Sequence, residues 1–208
     1  MYYAKRDLTW SFLENKQRIF ALSVVAFLFL LSVPFFCARL KGQEALEQSF
    51  HFATITQTSE HWTCVESLFN TRIQALYGDQ SEALKKIAEG TDRTCLVLAE
   101  EKNPIGLLLY KNDPTDEFEK HNIKKSLEIK TLTLFDPDKP SIKGQGWGTK
   151  LVEKCFALAR EKNALGCHLT VSEKSGVLRF YTKQGFEEKC TFYNQLKEKE
   201  YLLSYTNK

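Results

Sequence analysis

Lys143-Gly144-Gln145-Gly146-Trp147-Gly148 is the stretch of this chain whose residue types and spacing best suit chemistry. Three glycines at alternate positions leave the backbone bare of side chains. Successive N–H groups there can turn inward into an anion nest. The amphipathic helix predicted to follow adds its own unpaired N–H groups and the positive end of its dipole. The chemistry is that of holding a phosphate or pyrophosphate, with about 0.3–1 kcal/mol per exposed charge from the dipole. Lys143 and Lys150 add positive charge at the edges. Two other phosphate loops fail on spacing. A dinucleotide fingerprint needs GxGxxG where this chain has GxGxG, and a Walker loop needs Gly-Lys-Ser/Thr where Gly148 is followed by Thr149-Lys150. A plain tight turn is the bland alternative.

Alternating elements must position this loop. His51–Thr56 reads as a short strand. Glu60–Leu76 carries Trp62, Val65, Leu68, Phe69, Ile73 and Leu76 at helical spacing, and Gln80–Ala88 is a second helix ended by Gly90. Cys95–Ala99 and Ile105–Tyr110 are apolar runs split by Glu101-Lys102-Asn103-Pro104, a hairpin. Lys111–Lys125 is a charged insertion. Leu127–Phe135 is a strand whose apolar parity changes midway, as a β-bulge would cause. After the glycine loop come a helix over Thr149–Lys162, a strand over Cys167–Val171, a helix over Val177–Lys183 stopped by Gly185, and strands over Phe186–Tyr193 and Glu200–Tyr205. The order βααβββαβαββ predicts an α/β protein: a mixed sheet with helices on its faces.

The chain has 208 residues, 43% hydrophobic and 26% charged, which fits a folded domain and excludes a disordered one. Residues 1–41 hold six Lys/Arg and two Asp/Glu, whereas residues 42–208 hold 23 and 24. The bulk of the protein is thus neutral, which argues against general nucleic-acid binding. The basic surplus flanks Ile19–Ala38, 20 residues without a charge. As a helix that run spans roughly 30 Å, the thickness of a bilayer core. It reads as a retained signal anchor, with a cleaved signal peptide and a buried core helix as alternatives. The predicted organisation is a basic flank at 1–18, a transmembrane helix at 19–38, a linker at 39–47 and a single domain at 48–208. Six cysteines, no two within four residues, give no zinc-ligand spacing; they read as reduced, mostly buried thiols of a reducing compartment.

Two segments together resemble the GNAT superfamily of acetyl-CoA-dependent N-acetyltransferases. That family's loop after the fourth strand is Arg/Gln-x-x-Gly-x-Gly/Ala, and residues 143–148 match it with Lys143 at the first position. The family's later segment, an aromatic-Tyr-x-x-x-Gly-Phe ending, is similar to Phe180-Tyr181-Thr182-Lys183-Gln184-Gly185-Phe186. One helix and one strand separate the two segments, as in the family. The resemblance covers roughly residues 48–208 and implies a GNAT-like acyl-CoA N-acyltransferase fold.

It also implies roles. Lys143, Gly144, Gln145, Gly146, Trp147, Gly148 and Thr149 would hold the CoA pyrophosphate. Leu134 and Phe135, at the end of the fourth strand, would pair like a strand with the pantetheine amides. A bulge there would splay the fourth and fifth strands, with the thioester in the gap. Tyr181 would protonate the departing CoA thiolate. The family often has Asn seven residues before that Tyr; Lys174 stands there instead and would offer a cation to a CoA phosphate. Glu128 matches the place where some members carry a general base, and a dry cleft would raise its pKa toward that use. His168, on the fifth strand, is the next candidate base. Solvated, salt-bridged or hydrogen-bonded structural roles are the bland alternatives for Glu128 and His168, and a core aromatic role for Tyr181.

The implied function is transfer of acetyl from acetyl-CoA to a primary amine by direct attack in a ternary complex, with no metal. The acceptor, protein or small molecule, is not encoded in the motifs. Alternatives are an inactive acyl-CoA-binding module at a membrane and an exported acetyltransferase. Lys5, Arg6, Lys16 and Arg18 before the apolar run, against Arg39 and Lys41 after it, would send the domain outward. Acetyl-CoA is cytosolic, so a single-pass protein with its domain facing the cytosol is expected.

Overall fold

The structure, a computed structural model, describes residues 50–194 and 196–207. The flank at 1–18, the apolar run at 19–38 and the linker at 39–47 lie outside those residues. No helix among the described residues is long and apolar enough to cross a membrane.

Strand β1 (Phe50–Ile55) leads into helix α1 (Trp62–Leu68), a π-helical turn (Phe69–Ile73) and α2 (Gln74–Tyr77). These three pieces are the single helix that the apolar spacing predicts, loosened over the π turn. Gly78, at φ +78°, ends the run. Helix α3 (Ser81–Glu89) starts where the Asp79 carboxylate accepts the Ser81 N–H at 3.0 Å, and Gly90 closes it in the left-handed region. Strands β2 (Arg93–Glu100) and β3 (Asn103–Lys111) form the predicted hairpin. The insertion carries a short 3₁₀ turn at Glu119–His121. Then follow β4 (Ser126–Leu134), α4 (Trp147–Glu161), β5 (Gly166–Ser172), α5 (Leu178–Lys183), β6 (Glu187–Tyr193) and β7 (Lys199–Thr206).

One seven-stranded sheet results, in the order β1-β2-β3-β4-β5-β7-β6. Every neighbouring pair is antiparallel except β4 and β5, which run parallel. The expected α/β class with a mixed sheet between helices is the observed fold.

Both faces of the sheet are covered, which is why β2 and β3 read as near-continuous apolar runs instead of alternating ones. Leu96, Leu98, Leu108, Leu127 and Ile129 pack with Leu151, Val152, Cys155 and Leu158 of α4. Val97, Leu107 and Leu109 point the other way and pack with Val65, Leu68, Phe69, Ile73, Leu84 and Ile87 from the α1–α3 region. Each such side chain contributes about 1.5–3 kcal/mol by leaving water.

The centre of the sheet is its irregular part. Leu109 pairs with Thr131 and Tyr110 with Ile129, so Lys130 has no partner on β3. This is the bulge that the parity change predicts. Strands β4 and β5 pair only at Ser126–Glu128 against Gly166–His168, and beyond that they diverge. Gly166 sits at this junction because nothing larger fits. A Cβ there would lie 1.9 Å from the Tyr205 carbonyl oxygen of β7.

Of the cysteines described, Cys95, Cys155 and Cys167 are buried, Cys190 is half-buried and Cys64 is exposed, all as free thiols. Burial pushes Cys95 and Cys167 up to about 12. They are inert filling of the core.

Candidate active site

Divergence of β4 from β5 opens a cleft of about 670 Å³ through the middle of the sheet. Ile129 to Leu134 form one wall and Leu169 to Val171 the other. Gly148, Phe180 and Tyr181 line its α4 side, and Arg72, Leu76 and Tyr77 line the side of the π turn and α2.

The glycine loop stands at one end. Gly144 and Gly146 adopt φ +74° and +79°, left-handed angles that favour glycine. Gly146 is the N-cap residue of α4, whose helical run starts at Trp147, two residues earlier than predicted. The first intrahelical bond there runs from the Lys150 N–H to the Gly146 carbonyl at 3.1 Å. The N–H groups of Trp147, Gly148 and Thr149 precede it, in the turn that has no intrahelical acceptors. Space above Gly144 and Gly146 is open, with no atom within 4 Å of an added Cβ. Gly148 is closed in by Phe180, whose Cζ would lie 3.2 Å from a Cβ. Helix α5 therefore packs directly on the start of α4, and Gln184 Nε2 donates to Thr149 Oγ1 at 3.1 Å. Bare backbone donors at a helix start beside an open cleft fit an anionic group such as a pyrophosphate.

Side chains around the loop make contacts of their own. The Gln145 N–H is engaged by the Ile142 carbonyl at 3.3 Å. Trp147 packs edge-on against Phe50, with ring centres 5.5 Å apart. The Lys150 ammonium sits 3.5 Å over the Phe50 ring, which turns it toward β1. Lys143 is exposed, with Asp138 at 3.8 Å. Lys174 lines the cleft mouth, but its ammonium is paired with Glu198 of the β6–β7 connection.

At the end of β4, Phe135 gives its N–H to the Ile105 carbonyl at 3.0 Å, toward β3. Strand alternation then turns Leu132 and Leu134 to the open edge. Of the two residues expected to pair with pantetheine, Leu134 lies on the open edge of β4 and Phe135 bonds toward β3. The Leu134 carbonyl accepts from Arg72 Nη2, which also donates to Thr133 Oγ1 at 2.7 Å. Arg72 Nη1 reaches the Phe135 carbonyl at 3.3 Å. Sequence reading missed Arg72. Its only trace is an arginine beside the apolar Ile73 in an otherwise amphipathic helix, and the π turn is what aims it at β4.

Tyr181 is buried and lines the cleft. Burial, helped by Cys155 and Tyr77 nearby, pushes its hydroxyl above its ordinary value, so it stays protonated. Glu128 and His168 face each other across the short parallel pairing. Glu128 is 8% exposed, with Lys111 Nζ at 2.6 Å and Lys130 Nζ also bonded to it. Burial works to raise its carboxyl, but hydrogen bonds and charge from the two lysines outweigh burial and hold it below its ordinary value. The expected upward shift is therefore reversed, because the insertion and the bulge bring two cations to it. Neither Glu128 nor His168 lines the cleft directly; their neighbours Ile129, Lys130 and Leu169 do.

His168 is 1% exposed, with Nδ1 3.0 Å from Ser126 Oγ and Phe118 edge-on at 5.2 Å. Its Nε2 is buried without a hydrogen-bond partner. Burial brings its pKa down to about 4, so the ring is neutral at pH 7. Phe118 comes from the insertion, which thus covers this polar strip of the sheet.

Comparison with known proteins agrees with this geometry. Residues 58–186 match the model of the acetyltransferase (GNAT) family. No curated protein matches the chain in sequence. Among solved structures, Arabidopsis thaliana NAA60 with a bisubstrate analogue is 14% identical at a TM-score of 0.58, over 75% of this chain and 98% of that one. NAA60 with acetyl-CoA gives 16% and 0.56, over 76% and 98%. The PaiA N-acetyltransferase of Thermoplasma acidophilum, with coenzyme A, gives 17% and 0.52, over 76% and 99%. At these identities the likeness is one of fold. With more than half of its length matched by the family model, the chain belongs to the GNAT acetyltransferase family.

Proposed function

We propose that this protein transfers acetyl from acetyl-CoA to a primary amine by direct attack within a ternary complex. One observation carries the reading: a cleft through the sheet joins a bare-backbone helix start to a protonated, buried tyrosine. CoA phosphates would lie on the N–H groups of Gly146 to Thr149. Pantetheine would run along the open edge of β4 past Leu134 and Leu132, as a strand would. The thioester would then sit where β4 and β5 part. The amine nitrogen attacks the acetyl carbon, the C–S bond breaks, and the thiolate takes the Tyr181 hydroxyl proton. The amine's own proton leaves to water in the cleft.

NAA60 bound to acetyl-CoA and PaiA bound to coenzyme A support the co-substrate. Sequence alone supports a membrane anchor at 19–38; the need for cytosolic acetyl-CoA, against the flanking charge bias, would put the domain in the cytosol. Calorimetric titration of the full chain with acetyl-CoA, beside ATP as control, tests the reading. Saturable binding selective for acetyl-CoA, with thiol release on adding an amine, is the expected result. A folded protein that binds neither would overturn it.

A further inference from the structure

Helix α2 walls the cleft on the side away from α4, yet it buries none of its residues. Leu76 and Tyr77 stay about half exposed there. A four-residue helix without core contacts does not hold its own place. Gly78 after it stands free, with no atom within 4 Å of an added Cβ. The π turn before it therefore sets where this wall lies. Two kinds of contact fix that turn. Phe69 and Ile73 are buried in the core on one face of β2 and β3. Arg72 instead reaches the end of β4, donating to Thr133 Oγ1 and to the Leu134 and Phe135 carbonyls. Among the described residues, every side-chain hydrogen bond from this segment to the end of β4 comes from Arg72.

One of those oxygens has a second claimant. The Phe135 N–H goes to Ile105, so the Leu134 carbonyl faces the open edge, where pantetheine would pair. A carbonyl oxygen has two lone pairs and can accept from both partners at once. The guanidinium suits the sharing, because its rigid fork meets oxygens on three consecutive residues and its charge strengthens each bond. Pantetheine lying on β4 would order the strand end, and an ordered strand end gives Arg72 a fixed set of acceptors. A fixed Arg72 fixes the π turn, and the turn fixes α2. Resting on the acetyltransferase reading, we propose that Arg72 is a positioning residue through which acetyl-CoA, pairing with β4, tightens the α2 wall of the cleft. The acceptor amine then meets a formed wall once the donor is in place, so the donor binds first and raises affinity for the amine.

Hydrogen–deuterium exchange on the full chain tests this without an acceptor. Acetyl-CoA should slow exchange over residues 69–78 by about fivefold or more, although the phosphates lie at the start of α4. Arg72→Met keeps the reach of the side chain and removes its donors. It should still bind acetyl-CoA in calorimetry and still gain protection over 144–149, with the slowing over 69–78 lost. A merely structural Arg72 would leave 69–78 looser with and without acetyl-CoA and keep the ligand's effect, and that result would overturn the proposal. Thr133→Val removes one of the three bonds and leaves Arg72 in place, so it serves if Arg72→Met does not fold. It should reduce the slowing, and full slowing in it would likewise count against the proposal. Wild-type protein that binds acetyl-CoA with exchange over 69–78 unchanged or faster would also overturn it, while leaving the co-substrate site intact. Failure to bind acetyl-CoA at all would take down the underlying reading as well.

Discussion

The two ends of the cleft are built from different materials. The α4 end is made of backbone: positive-φ glycines and the N–H groups of a helix start, all within residues 144–149. The Glu128–His168 strip beside the other end is made of side chains, and each owes its state in part to residues far away in sequence. Glu128 is anionic because Lys111 reaches it from the end of β3. His168 is neutral because Phe118 of the insertion shuts it from water. A backbone site depends on local sequence, whereas a side-chain site depends on what the fold brings to it.

Breaking the backbone end should have the largest effect. Gly146→Val forces a β-branched residue into a left-handed conformation, at a cost of roughly 1–2 kcal/mol, and fills the open nest. Acetyl-CoA affinity should fall by about 100-fold, two factors of ten at about 1.4 kcal/mol each, in calorimetry of a protein whose circular dichroism is unchanged. Tyr181→Phe comes next. It removes the proton donor but keeps the ring, so kcat should fall by about 100-fold while the acetyl-CoA Kd stays put. An unchanged kcat would leave Tyr181 a core aromatic.

Side chains at the other end should show themselves in pH dependence. The folded His168 has a pKa of about 4 against an ordinary 6.5, so the unfolded state takes up a proton first. Stability is then lost as pH falls from 6.5 toward 4, and His168→Gln should flatten that part of the Tm profile. Glu128 has the sign usual for a paired carboxylate. Its contribution is present above its ordinary value of 4.5 and is lost as pH falls through the lower folded value. Glu128→Gln should therefore lower Tm at pH 7 and matter progressively less below 4.5. Smallest of all should be Lys143→Ala, an exposed change at the first motif position, with acetyl-CoA affinity shifted by about twofold or less.

The same division governs what could be read beforehand. Spacing of Leu151, Val152, Cys155 and Leu158 was enough for α4, because an amphipathic helix is a local pattern. The bulge at Lys130 was visible as a change of parity within one strand. The glycine loop announced itself because the left-handed angles at Gly144 and Gly146 favour glycine. Arg72 did not, since its meaning comes from the carbonyls of β4, some 60 residues later in the chain. Nor did the state of Glu128. A carboxylate in a strand looks the same in sequence whether two lysines or a dry pocket await it. The run at 19–38 is the reverse case: plain as a pattern, and outside the described residues.

Three residue pairs, Ser126–Glu128 against Gly166–His168, stitch the β1–β4 half of the sheet to the β5–β7 half. Mechanically this is a seam, and a load applied across the sheet would open it before any antiparallel pairing. Divergence of the halves beyond the seam leaves the β4 edge without a strand partner there, with Arg72 bonded to the Leu134 carbonyl at its end. A pantetheine chain lying there would act as a splint, spanning the gap and bonding the open edge of β4. Turnover would then be a cycle of stiffening and relaxation, with the protein most compliant between one acetyl donor and the next.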